Sequence, residues 1–332
     1  MSLFRKPALL GLDVGSSTVK AVQLRKKGKE IFAERTGIAA MPSGAISGGM
    51  VLDPPAVSNC IRKLCENQRL GERRVAVALG GDGVFLTRLK LNPGPADALP
   101  DRIREETARQ SPFLLQQAAL DFQILNHSPS DSSDTPDTPW DVLVVAARPE
   151  KIEGMREVLR RAGKTAVLVD SCTCALANTL EFNHRPAASE ISVLLHLGAA
   201  AMSVVILRGS VPLLAQEFPL VPPASSDETW NPAQRVAVQL ERMFEQMDEI
   251  ADEHPLEPGS RQIQRIWLSG GGSRMRGLEE VLRDRIKLPL QEINPFRKIE
   301  FRSAEALDRV VWDHAHCMTV AVGLALRNFQ QL

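Results

Sequence analysis

The chain has 332 residues, more than one core of ordinary size holds, and the length predicts about two domains. Its 44% hydrophobic and 24% charged residues are those of a globular protein, and 40 basic residues balance 40 acidic ones, which excludes a global field for nucleic acid or an anionic membrane and leaves only local patches. The absence of Tyr, with 11 Phe and 4 Trp, argues against a base-stacking surface; no run of about 18 apolar residues could span a bilayer, and Met1 to Lys6 lack a signal-peptide core, so a cytoplasmic protein is expected.

The first predicted elements are strands over 8–13 and 18–25, joined by Gly15-Ser16-Ser17. Val19, Val22 and Leu24 continue an extended pattern, so the glycine-containing turn opens into a second strand and not into a helix. Such a hairpin can clasp a phosphate. Asp13 at the strand end can face magnesium through water, Gly15 lets the backbone approach, Ser16, Ser17 and Thr18 offer amide and hydroxyl donors, and Lys20 adds a charge. The plain alternative is a Gly-Ser turn with no ligand.

A third strand over 31–35 follows the turn Lys26 to Lys29. Asp53 with Pro54 at the first helical position starts a helix, and Val75 to Leu79 forms a buried strand closed by Gly80-Gly81. From Gly83 the chain predicts a strand at 84–91, a helix through Ile103 and Thr107, and strands at 121–125 and 142–147. Ser128 to Pro139 between them is too polar to order itself and reads as a mobile hairpin loop. A helix from Pro149 to Gly163 turns Ile152, Met155, Val158 and Leu159 inward, and 166–169 is a strand ending at Asp170.

The second half repeats the plan. A strand at 191–195 meets His196-Leu197-Gly198-Ala199-Ala200-Ala201, and 202–207 continues extended. Then come an amphipathic helix over 233–250, a strand over 263–268 running into Ser269-Gly270-Gly271-Gly272-Ser273, a helix through Leu278 and Leu282, and an apolar helical segment over 317–329. Five cysteines, mostly in apolar patterns, read as reduced core thiols. Cys172 and Cys174, or His314, His316 and Cys317, lack the spacing of structural zinc sites.

In its ordered motifs the chain resembles the PilM family of type IV pilus assembly proteins, actin-like relatives of FtsA. The residues that carry this are Gly11 to Lys20, Ser111-Pro112-Phe113 with Asp121, Gly163 with Val169-Asp170 and Ala175-Leu176-Ala177, Leu268 to Ser273, Gly277-Leu278, Asn294-Pro295-Phe296 and Gly323 to Arg327. The resemblance implies an α/β, actin-like (ribonuclease H-like), two-lobed fold: lobe I over 1–188 with an inserted subdomain over about 83–167, lobe II over 189–312, and a C-terminal helix over 313–332 returning to lobe I. It also implies a scaffold at the cytoplasmic face of the inner membrane that holds the tail of a membrane-anchored, PilN-like protein among other pilus assembly proteins, in a groove near the insert. Self-association, as in other actin relatives, is left open.

By the same resemblance ATP with magnesium is the ligand of the cleft. Asp13 is the magnesium-facing acid, Gly15, Ser16, Ser17, Thr18 and Lys20 form the first phosphate clamp, His196 and Gly198 lie in the second, Gln239 and Arg242 lie near the ribose, and Gly270, Gly271, Gly272 and Ser273 form the adenosine-side loop. Three departures stand out. His196 replaces an Asp, Pro219-Leu220-Val221-Pro222-Pro223 replaces a polar, glycine-rich stretch, and Gln239 stands where relatives often carry Glu. An imidazole cannot take over the acid's role, so weak or absent hydrolysis is expected; His196 either lends charge to a phosphate or is a hydrogen-bonded core residue. The competing functions are an actin-fold ATPase or small-molecule kinase, with Asp170 as its only well-placed base, and a GspL-like component of type II secretion.

Overall fold

The computed structural model describes residues 8–92, 94–111, 113, 117–125, 139–220, 231–253, 262–302 and 309–329. The expected loop from Ser128, apart from Pro139, and the motif residues Pro112 and Val221 to Pro223 lie outside them. The chain begins with strands β1 (Leu10–Val14), β2 (Thr18–Lys27) and β3 (Glu30–Ala40), passes β4 (Ile46–Ser47) and β5 (Met50–Val51), and enters helix α1 (Pro54–Asn67). Asp53 caps α1 by accepting from the Ala56 amide at 2.9 Å, and Pro54 occupies its first turn, as the sequence predicts. Next come β6 (Arg74–Leu79), β7 (Val84–Leu91), α2 (Leu99–Gln110), β8 (Ala119–Ile124), β9 (Trp140–Ala147), α3 (Pro149–Arg161), β10 (Thr165–Ser171) and α4 (Cys172–His184). The second half holds β11 (Ile191–Leu197), β12 (Ala201–Arg208), β13 (Val211–Pro219), α5 (Pro232–Glu253), β14 (Ile263–Ser269), α6 (Leu278–Arg285), β15 (Leu290–Glu292), β16 (Glu300–Phe301), α7 (Arg309–Asp313) and α8 (Thr319–Leu326).

Two large sheets result. The first runs β10-β6-β1-β2-β3-β16 and the second β13-β12-β11-β14-β15, each with an antiparallel hairpin beside a parallel strand. Helices α1 and α3 cover one face of the first sheet, and α5 and α6 cover one face of the second. Between the sheets lie α4 and α8, whose Leu176, Leu180, Val320 and Leu324 pack with Ala76 and Ala78 on one side and Leu194, Val205 and Trp267 on the other. Because α8 has protein on every side, all eight of its residues are buried and it has no polar face. It approaches so closely that a Cβ on Gly323 would sit inside the Ala175 carbonyl, and one on Gly11 would overlap the backbone of Ala321.

A smaller sheet, β7-β9-β8, carries α2 and has its own apolar cluster of Leu89, Leu91, Leu99, Ile103, Val142 and Val144. This unit spans 84–147, narrower than the insert expected over 83–167. Helix α3 packs Met155, Val158 and Leu159 into the core beneath the first sheet, and β10 pairs with β6 in that sheet. The chain also rejoins the first sheet before residue 313, since β16 pairs with β3 at Glu300–Phe301.

Candidate nucleotide cleft and peptide groove

The two predicted hairpins form and close alike. In the first, Gly15 N–H donates to Thr18 O at 3.0 Å; in the second, Gly198 N–H donates to Ala201 O at 2.8 Å. Asp13 faces Lys20 across its ladder, and His196, at the equivalent position, faces Ser203. Between the closing residues stand Ser16 and Ser17 in one hairpin and Ala199 and Ala200 in the other. Lys20 Nζ binds Asp13 Oδ2 at 2.9 Å, so the acid predicted to face magnesium already has a cation beside it.

The two hairpins come close enough for the charges of Asp13 and Lys20 to reach His196. Burial pushes the His196 imidazole down to about 4, with Asp13 opposing and Lys20 assisting, so the ring is neutral near pH 7. Its Nδ1 lies 3.0 Å from Ser269 Oγ, and Ser269 Oγ donates to Thr319 Oγ1 at 2.8 Å. A hydroxyl has one proton to give, so Ser269 accepts from His196 Nδ1, and Nε2 is left with a lone pair that phosphate oxygens avoid. Of the two roles the sequence left open for His196, the hydrogen-bonded core residue is the one these contacts fit.

The Gly270–Ser273 loop rests on the second hairpin. Gly270 has φ +86°, its N–H donates to His316 O at 2.9 Å, and a Cβ on Gly272 would come within 2.9 Å of Leu197 Cβ. Thr319 Oγ1 donates to the same His316 carbonyl at 3.2 Å, so this loop, His196 and the start of α8 form one bonded unit. Gln239 is buried on α5 among Val236, Leu240 and Met243, and Arg242 is on the same helix, whose main neighbours are α6 and β12.

Two residues of this region, Lys151 and Glu217, carry no signal in the sequence. Lys151 of α3 is 3% exposed and donates Nζ to Gly80 O at 2.6 Å and Gly48 O at 3.1 Å. Burial lowers its ammonium, with Glu217, Asp82 and Cys172 opposing. Glu217 of β13 reaches from the second sheet to the loop after β6: burial raises its carboxyl, while the Gly81 N–H, Lys151 and the Ser203 hydroxyl stabilise the charged form. Cys172 lies beside both, its thiol pushed well above the ordinary range by burial first and then by Glu217 and Asp13, so it is neither base nor nucleophile. Asp170, the base expected for a kinase, faces elsewhere. Its Oδ2 lies 3.4 Å from Arg327 Nε, its charge is felt with that of Asp121 on β8, and burial raises its carboxyl.

A concavity of about 860 Å³ opens at the ends of the hairpins remote from Gly15 and Gly198. The β2–β3 turn, β7, β9, the end of α4, the β12–β13 turn and the end of α8 line it. Ile31, Leu125, Phe182, Val211, Leu326 and Phe329 supply apolar surface, and Lys26, Lys29, Arg88, Arg185 and Arg208 supply charge, with Arg88 paired to Asp141. It thus lies where turns of both large sheets meet the three-stranded unit. Among the described residues no helix is long and apolar enough to cross a membrane.

Comparison with known proteins agrees with this architecture. A chain from a PilM-PilN type IV pilus biogenesis complex superposes with a TM-score of 0.79 at 26% identity, covering 97% of this chain and 99% of that one. The ethanolamine utilization protein EutJ from Carboxydothermus hydrogenoformans matches with a TM-score of 0.50 at 13% identity over 97% of this chain and 90% of its own. A Bacteroides thetaiotaomicron protein described as having an actin-like ATPase fold and unknown function matches at 0.51 and 9%, over 87% of this chain and 92% of its own. The fold is actin-like. The family model for the type IV pilus assembly protein PilM matches residues 11–217 and 242–329, and the chain therefore belongs to the PilM family.

Proposed function

We propose that the protein is a scaffold of type IV pilus assembly that holds the tail of a PilN-like, membrane-anchored protein in the 860 Å³ groove, at the cytoplasmic face of the inner membrane. The observation that carries this reading is the groove itself. It combines an apolar floor with charged walls where a folded core meets the three-stranded unit, the kind of surface that takes an extended or helical peptide by a few apolar anchors. The likeness to a chain from a PilM-PilN complex supports the same partner.

The cleft serves that role as a holding site. In this reading ATP with magnesium is gripped by the first hairpin alone, through Asp13, Gly15, Ser16, Ser17, Thr18 and Lys20, with Gly198 and Gly270 to Ser273 closing the other side. Turnover is not the function, because neutral His196 brings no charge to the terminal phosphate and Asp170 points to Arg327. The lobe division follows the two large sheets, with the unit over 84–147 as the insert.

Fluorescence anisotropy with a labelled tail peptide of the pilus protein encoded beside this one tests the reading. Micromolar binding is expected, weakened at least tenfold by Leu125→Asp or Phe182→Asp in variants that keep the wild-type circular dichroism. A tail that does not bind, or that binds those folded variants as tightly, removes the groove from the function.

A further inference from the structure

The pole of the molecule that carries the groove holds more basic than acidic side chains. Its β2–β3 turn presents Lys26, Lys27 and Lys29, all exposed, and its β12–β13 turn presents Arg208. Arg185, one residue past α4, is exposed at the same groove. Beyond it lie exposed Arg297 and Lys298. Desolvation, and then the like charges of Arg185 and Arg297, lower the Lys298 ammonium below its ordinary range, which places the three cations together.

Among the described residues, the acids nearby, Glu181 on α4 and Glu190 in the loop after it, are fewer than these cations. Of the two acids lining the groove, Asp141 is taken by Arg88, which leaves Glu181 against Lys26, Lys29, Arg185 and Arg208. Nearby ion pairs join Arg25 to Glu34 and Arg302 to Glu30, and among the described residues Lys26, Lys27, Lys29, Arg185, Arg208 and Lys298 enter none. The carbonyl end of α4 attracts cations, but its partial charge of about half an elementary unit cannot offset three of them. In a chain whose total charge is zero, this surplus is local.

We propose that this pole rests on the anionic phospholipid surface of a membrane. The cations come from four separate segments and sit on turns and a helix end without fixed partners, which suits a diffuse sheet of charge better than a single acidic ligand that needs paired, immobile donors. The inference rests on the proposed function in one respect: a tail that enters the groove from a membrane-anchored protein turns the same pole toward the bilayer.

Co-sedimentation of the full chain with vesicles, without any tail peptide, tests it. Phosphatidylcholine vesicles containing about 30% phosphatidylglycerol, enough to set up an attractive surface potential, should retain the protein at low salt and release it as salt rises, whereas pure phosphatidylcholine should not. Lys27→Glu combined with Lys298→Glu, both outside the groove lining, should weaken retention by about tenfold or more, since each cation near such a surface is worth roughly a factor of five. Equal retention on both vesicle types, retention on neither, or no change on charge reversal overturns the proposal; so does binding of a polyglutamate peptide by a protein that ignores vesicles. A parallel titration with the tail peptide separates the two readings. Tail binding without vesicle binding sinks only the membrane surface, and vesicle binding without tail binding sinks only the groove.

Discussion

The hairpins β1–β2 and β11–β12 share a backbone plan and differ in their chemistry. Each closes on a glycine amide three residues before its bonded carbonyl, and each stands beside a parallel strand. Yet Asp13, Ser16, Ser17, Thr18 and Lys20 in the first correspond to His196, Ala199, Ala200, Ala201 and Ser203 in the second. Each ladder keeps its shape through apolar residues packed on both of its faces. Charge is not protected in that way. A clasp can therefore keep both jaws in place while one loses its means of holding a phosphate, and a binding or scaffolding role is what such a one-sided site supports.

Changes that break or sharpen this contrast should differ widely in size. Gly323→Val strikes what both jaws lean on, because α8 packs against β1 and is bonded to His196 through Ser269. Overpacking there should cost about 3 kcal/mol or more in urea unfolding, and a cost below 1 kcal/mol would mean that α8 can shift freely.

Acid should act next, through the second jaw. The folded-state value of His196 is depressed to about 4 from 6.5, so its stabilisation is complete above about pH 6.5 and is lost as the pH falls through 4. The shift corresponds to at most about 3 kcal/mol. Unfolding curves between pH 7 and 4 should steepen accordingly, and His196→Gln should flatten them. An unchanged slope in that variant would put the titration elsewhere.

Ligand affinity should separate the jaws directly. Asp13→Ala should weaken binding of a fluorescent ATP analogue at least tenfold, about 1.4 kcal/mol, whereas His196→Ala should change it less than twofold. Equal losses would show that the two halves still work as a pair. The smallest effect is a gain: His196→Asp, which supplies the acid that the family resemblance implies, should raise affinity for the magnesium complex by only about threefold, because the burial that lowers His196 also opposes a charged carboxylate there. No gain would mean that Ser269 and Lys20 hold the site closed to a metal.

Local signals made much of this legible in the sequence. The paired hairpins, the Asp53-Pro54 start of α1, the inward face of α3 and the glycine stop after it all follow from neighbours within a few residues. Strand β13 and helix α4 were not called. Helix α4 lies between two sheets and is apolar on more than one side, so it has little periodicity, and β13 has a broken alternation at a sheet edge. Lys151 and Glu217 were invisible for another reason. Lys151 donates to carbonyls of Gly48 and Gly80, and Glu217 accepts from Gly81, all far away in the chain and all main-chain groups, which carry no residue code. Asp170 misled because its place at a strand end suggested the crevice, whereas Arg327 of the C-terminal turn claims it. The groove, assembled from seven segments, Leu125 after β8 among them, has no linear pattern to read.

Phosphate release by the purified full chain with ATP and magnesium tests the one-sided clasp most directly. Release should stay at the no-protein rate, in wild type and in Asp13→Ala alike. Steady magnesium-dependent release by the wild type, lost in Asp13→Ala, would contradict it and make the second jaw a working part of an ATPase.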